Sequence, residues 1–118
     1  CFVQLIAPTT NIKRMKEIIK ISHEMVYMIS MISTTGSALK VTTKKIMKNY
    51  ECIKKINPTK NIAIGFGITE KTIGSLKEAD GLVVGSAICK EITNSIKKRQ
   101  NVVINVTNMV RRLKNKIK

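Results

Sequence analysis

Four apolar runs of strand length recur along the chain: FVQLIA at Phe2 to Ala7, VYMISM at Val26 to Met31, NIAIGF at Asn61 to Phe66 and GLVV at Gly81 to Val84. Segments of helical period separate them. Alternation at this spacing joins parallel strands through right-handed crossovers. Because the runs are apolar on successive residues, the sheet must be covered by helices on one face and by packed core on the other. A doubly wound sheet and a closed (βα)8 barrel both satisfy this pattern. Four units make half of such a barrel, and an open half leaves strand edges and core exposed unless further chain or a second copy closes it.

The helices are legible from their periods and caps. Pro8 closes the first run, and Thr9-Thr10-Asn11 offers turn or cap residues. Ile12, Met15, Ile18, Ile19 and Ser22 share one face of a helix over Asn11 to Ile21. Ile32 to Ala38 reads as a loop. Thr42 or Thr43 caps a helix with Ile46, Met47, Tyr50, Ile53 and Ile56 on one face, ended by Asn57-Pro58-Thr59. Thr69-Glu70-Lys71-Thr72 suits the acidic first turn of a short helix through Lys77, and Ser86 suits the cap of AICKEITNSIKK. A last helix carries Val103, Val106, Met109, Val110, Leu113 and Ile117 on one face.

With 118 residues, 43% of them hydrophobic, the chain is expected to form one compact unit over 1–118 with no internal domain boundary. It opens at Cys1 directly into a core-like strand, so a piece of a longer protein is expected. The longest apolar runs fall short of the ~20 residues that span a bilayer, and nothing reads as a signal peptide. Cys1, Cys52 and Cys89 are odd in number and lack metal-ligand spacing, which predicts free thiols and a reducing, cytoplasmic setting. The net charge of +15 can signal a polyanion partner. The lysines are spread over all the helices, however, and the densest run, Lys97-Lys98-Arg99, has no aromatic neighbours for base stacking. Solvated helix faces are therefore expected, with neither nucleic acid nor membrane as partner.

Glycines mark the expected site. In parallel α/β folds the loops at the carboxyl ends of strands converge on it. Gly67 and Gly85 stand at two such ends, and Gly36 in the loop after the preceding one. Lacking Cβ, they let a ligand approach backbone N–H groups. Ser86 adds a hydroxyl at a helix start, where free amides and the dipole favour a phosphate dianion. Neither a Walker A loop nor a dinucleotide fingerprint is present, so the expected ligand is a small phosphorylated metabolite. Tyr27, on a strand, faces either the core or a bound ring. His23 falls at the opposite end of the strands. The seven acids, Glu17, Glu24, Glu51, Glu70, Glu78, Asp80 and Glu91, are expected on helices or at the amino sides of strands, where none would serve as general acid or base.

Four local patterns, LIAPTT at Leu5 to Thr10, VYMIS with TTG at Val26 to Gly36, IGFGI at Ile64 to Ile68 and VVGSAI at Val83 to Ile88, resemble the alpha subunit of tryptophan synthase in residues, order and spacing. The resemblance covers nearly the whole sequence. It implies a (βα)8 TIM barrel of which this chain supplies strands five to eight. It further implies a lyase that cleaves indole-3-glycerol phosphate to indole and glyceraldehyde 3-phosphate, in an α2β2 complex with a pyridoxal-phosphate-dependent beta subunit, and with no cofactor of its own.

Gly36, Gly67, Gly85 and Ser86 match family positions around the phosphate. Tyr27 matches a tyrosine facing the substrate, Phe66 resembles a residue lining the indole pocket, and Thr35 resembles the threonine of a mobile loop. Ser33 and Thr34 depart from the glycine and valine usual there. The family's two catalytic carboxylates would lie upstream of Cys1, so no catalytic residue is expected in this chain, and turnover by it alone is not expected. The alternative is a noncatalytic phosphate-binding remnant or an interaction protein with a half-barrel fold.

Overall fold

The computed structural model describes residues 2–30, 32–34, 37–39 and 42–118, the stretches 32–34 and 37–39 by their backbone only. Its elements are β1 (Gln4–Ile6), α1 (Ile12–Ile21), β2 (Met25–Ile29), β3 (Ile32–Thr34), β4 (Ser37–Leu39), α2 (Thr43–Ile56), β5 (Asn61–Gly65), a 3-10 turn (Ile73–Leu76), β6 (Gly81–Val83), α3 (Ser86–Lys97) and α4 (Val102–Asn115). The four expected strands form one parallel sheet in the order β1-β2-β5-β6.

Register assigns the two faces. Ile6, Met28, Ile64 and Leu82 lie side by side, as do Gln4, Val26 and Ile62. Val26, Met28, Ile62 and Ile64 are all buried, packed in one cluster with Met15, Ile18 and Ile19 of α1, Ile46, Tyr50 and Ile53 of α2, and Met109 and Leu113 of α4. On the opposite face Leu5, Tyr27 and Ala63 line up, and Gly65 stands beside Val83. That face is not covered by packed core as expected: Leu5 is 57% and Val83 44% exposed. The helix-covered side alone is complete, which is how half of a barrel presents its interior.

Caps explain where the helices begin. Asn11 Oδ1 accepts from Arg14 N–H at 2.8 Å, Thr42 Oγ1 from Lys45 N–H at 3.3 Å, and Asn101 Oδ1 from Ile104 N–H at 3.0 Å. Three expectations need correction. The stretch read as the loop Ile32 to Ala38 contains an antiparallel hairpin, with Ile32 opposite Leu39 and Thr34 opposite Ser37; three-residue strands are too short to show an alternation. The helix expected from Thr69 to Lys77 is only a 3-10 turn at Ile73–Leu76. Thr72 Oγ1 accepts the Thr69 N–H at 3.0 Å, and with Gly74 inside the segment too few good helix formers remain to offset nucleation. Finally, α4 buries only Met109 and Leu113 of its apolar stripe, leaving Val103 and Val110 exposed.

The amino ends of the strands are stapled by two lysines. Lys60, buried, donates to the Ser22 and His23 carbonyls, fastening the α2–β5 loop to the α1–β2 loop. Lys54 Nζ bridges Asp80 at 2.8 Å, and Asp80 Oδ2 accepts the Ile62 N–H at 2.9 Å, prolonging the β5–β6 ladder past its last backbone pair. Burial, with the Asp80 charge adding to it, pushes the nearby Tyr50 phenol above its ordinary range. Asp80→Ala removes the counter-charge of Lys54, which keeps the Lys60 carbonyl, and the acceptor of the Ile62 amide, so a loss of about 1–2 kcal/mol is expected from this partly exposed pair. Urea titration checks it, and an unshifted midpoint would show the staple to be idle.

Candidate functional site

At the carboxyl end of the sheet, Tyr27, Phe66, Gly67, Val83, Gly85 and Ser86 line one cavity of about 190 Å³. Five residues singled out from sequence therefore converge from three strands: Tyr27 from β2, Phe66 and Gly67 from the end of β5, Gly85 and Ser86 from the end of β6. Thr35 and Gly36 lie outside the described residues. Larger hollows of about 530 Å³ occur along α2 and at the amino ends of β1 and β2, the latter lined by Val3, His23, Glu24, Met25 and Asn61. Volume does not decide between them. The smaller one lies at the carboxyl ends of β5 and β6, where the start of α3 borders it and where sites in parallel α/β folds are found.

The β5 end is shaped by two successive left-handed residues, Phe66 at φ 71° and Gly67 at φ 70°. Glycine accepts this conformation freely, whereas Phe66 holds it against a steric penalty of about 1–2 kcal/mol. The turn lifts Phe66 out of the sheet, 59% exposed, with its ring edge-on to Tyr27 at 6.3 Å and 85°. The two rings form an aromatic wall of the cavity.

Gly65 was not singled out from sequence, yet it is what permits this wall. Tyr27 leans diagonally across the sheet, and a Cβ on Gly65 would overlap its hydroxyl and Cζ and stand 3.1 Å from Cε2. The signal was present in IGFGI, where a glycine precedes the aromatic residue as well as follows it. Ser30, at the end of β2, was also missed. Buried, it donates through Oγ to the Gly65 carbonyl at 2.6 Å and approaches the Phe66 carbonyl.

The β6 end differs from expectation in one respect. Gly85, not Ser86, is the N-cap of α3, and no side chain closes its first turn, in contrast with α1, α2 and α4. The first intrahelical bonds are those of Ile88 and Cys89 N–H to the Gly85 carbonyl. The amides ahead of them precede the helical ladder at the positive end of the helix dipole, and Gly85 and Ser86 line the cavity there. A Cβ at Gly85 would meet nothing within 4 Å, so this glycine leaves open space in front of the helix.

Glu70, expected on a helix, instead lies in the turn after β5. Its carboxylate is engaged by Arg112 Nε at 2.9 Å and its carbonyl by Lys116 Nζ at 2.7 Å, which ties the loop carrying Gly67 to α4. It does not line the cavity. His23 sits at the amino end of β2, away from the site, as its position in sequence implied. Among the described residues no three of His, Cys, Asp and Glu gather as a metal site, and no helix is long and apolar enough to cross a membrane.

A family model described as tryptophan synthase alpha chain matches residues 1–118. The chain belongs to the tryptophan synthase alpha family. The tryptophan synthase alpha chain of Pelagibacter ubique (strain HTCC1062) is 68% identical over 116 residues, covering 98% of this chain and 44% of that relative. The tryptophan synthase alpha chain of Aquifex aeolicus (strain VF5) is 41% identical over 93 residues, covering 75% and 34%. The crystal structure of the Legionella pneumophila str. Paris alpha subunit superposes with a TM-score of 0.74 at 22% identity, over 98% of this chain and 41% of that one. A chain from the tryptophan synthase a2b2 complex of Pyrococcus furiosus superposes at 0.70 with 29% identity, over 96% and 43%. The fold is therefore part of a TIM barrel, and the chain spans less than half the length of these relatives.

Proposed function

We propose that this chain supplies the carboxyl-terminal half of a single (βα)8 barrel, strands five to eight, in a cytoplasmic lyase that cleaves indole-3-glycerol phosphate to indole and glyceraldehyde 3-phosphate. The observation that carries the reading is the convergence of Tyr27, Phe66, Gly67, Gly85 and Ser86 on one cavity at the carboxyl ends of the strands. In it the Gly67 and Gly85 loops and the α3 amides, with the Ser86 hydroxyl, grip the phosphate dianion. Thr35 and Gly36, which lie outside the described residues, are assigned to the same site by the family resemblance alone. Phe66 packs against the indole, while the Tyr27 phenol donates or accepts a hydrogen bond beside it.

Among the described residues, those lining the cavity include no carboxylate, and by the family resemblance the general acid and base belong to the other half of the barrel. The barrel's partner is a beta subunit that receives the indole. Neither nucleic acid nor membrane enters this reading, and the alpha barrel works without a cofactor of its own.

Gly85→Asp tests the phosphate half directly. A Cβ at Gly85 meets nothing within 4 Å, so folding is expected to survive. The carboxylate then stands where the phosphate would, and affinity for glycerol phosphate is expected to fall at least about a hundredfold, on the order of 3 kcal/mol. Calorimetric titration of parent and variant measures it, and equal affinities would reject the site.

A further inference from the structure

We infer that Ser30 is a positioning residue whose buried hydroxyl holds the Gly65–Phe66 peptide in its left-handed turn and so sets the ring-facing wall of the cavity. The inference rests on the reading above that the cavity takes an indole-bearing phosphate ester. Ser30 lies at the end of β2, 3% exposed, one strand away from the turn. Its N–H donates to the Gly65 carbonyl at 2.9 Å and its Oγ to the same oxygen at 2.6 Å, with the Phe66 carbonyl next to it. Two successive carbonyls of one loop are thus drawn toward one buried hydroxyl.

These peptides lead into Phe66 and Gly67, whose φ angles of 71° and 70° turn the chain out of the sheet. Phenylalanine does not stay in that region without external support. Nor does the ring supply the support, since Phe66 is mostly exposed and meets Tyr27 only edge-on. The hydroxyl is the group placed to do so. Its loss frees Phe66 to relax toward extended backbone, which swings the aromatic wall away from Tyr27. The amides at the start of α3 belong to a different loop, so of the groups read as phosphate-facing only Gly67 adjoins the change.

The consequence is a separation of ligand arms. In the protein as encoded, Ser30→Ala is expected to weaken binding of indole-3-glycerol phosphate about tenfold, or ~1.4 kcal/mol. Inorganic phosphate, which meets this turn only through Gly67, should lose less affinity than indole-3-glycerol phosphate does. A double-mutant cycle with Phe66→Gly separates positioning from packing, because glycine needs no help at positive φ. In that background Ser30→Ala should leave the unfolding midpoint unchanged.

Equal binding of indole-3-glycerol phosphate by parent and Ser30→Ala overturns the inference alone. So does a stability loss of the same size in both backgrounds, or failure of both Ser30→Ala and the double variant to fold. A fold lost in Ser30→Ala and regained with Phe66→Gly supports it. If the parent itself does not bind indole-3-glycerol phosphate, the functional reading falls and this inference with it.

Discussion

Gly65→Ala is expected to remove binding of an indole-bearing ligand by about a hundredfold while leaving the helix-covered core intact. A single methyl suffices because the space is already occupied: Tyr27 Cζ and hydroxyl lie where the new carbon would be. Tyr27 must then rotate off the sheet or the β5 end must shift, and overpacking of this kind costs about 1–3 kcal/mol. Either movement breaks the edge-on pairing of Tyr27 with Phe66. Truncating the phenol should relieve the conflict, so Tyr27→Ala and Gly65→Ala are expected to be strongly non-additive in stability. Indole titration and urea denaturation of the two single variants and the double provide the measurement. Simple additivity would mean that the two residues do not share the space the structure gives them.

The largest loss of stability is expected from Ile62→Ala. Ile62 is fully buried in β5, beside Val26 of β2, within the cluster that also holds Ile46, Tyr50 and Ile53 of α2. Removing three buried carbons there should cost about 2–5 kcal/mol, the spread reflecting how far the site collapses. Against the ~5–15 kcal/mol that holds a domain together, this is a substantial fraction. Thermal unfolding of parent and variant decides it. A shift of only a degree or two would mean that the sheet face under α2 is looser than its burial implies.

What could be read from sequence followed the length of the signal. Apolar runs of four to six residues and helical stripes over ten or more identified the four strands of the parallel sheet and the four α-helices, while IGFGI and VVGSAI contain residues that line the cavity. Short-range structure was less accessible. The β3–β4 hairpin involves three-residue strands, and the turn around Thr69 to Leu76 is decided by side-chain hydrogen bonds that propensity does not foresee. The roles of Gly65 and Ser30 were hidden for another reason. Each depends on a residue more than thirty positions away, Tyr27 in one case and the Phe66 turn in the other, and only the register of β2 against β5 brings them together. Lys60 likewise reads as one more solvated lysine until its ammonium is seen buried against two carbonyls.

The staple of Lys54, Lys60 and Asp80 has an implication for how such a scaffold changes over generations. None of its side chains borders the cavity, and none of the cavity's side chains braces the staple. Mechanical integrity and ligand choice are thus written at opposite poles of the same strands. Exchange of Phe66 or Tyr27 can therefore retune which ring is admitted without loosening the framework that presents it.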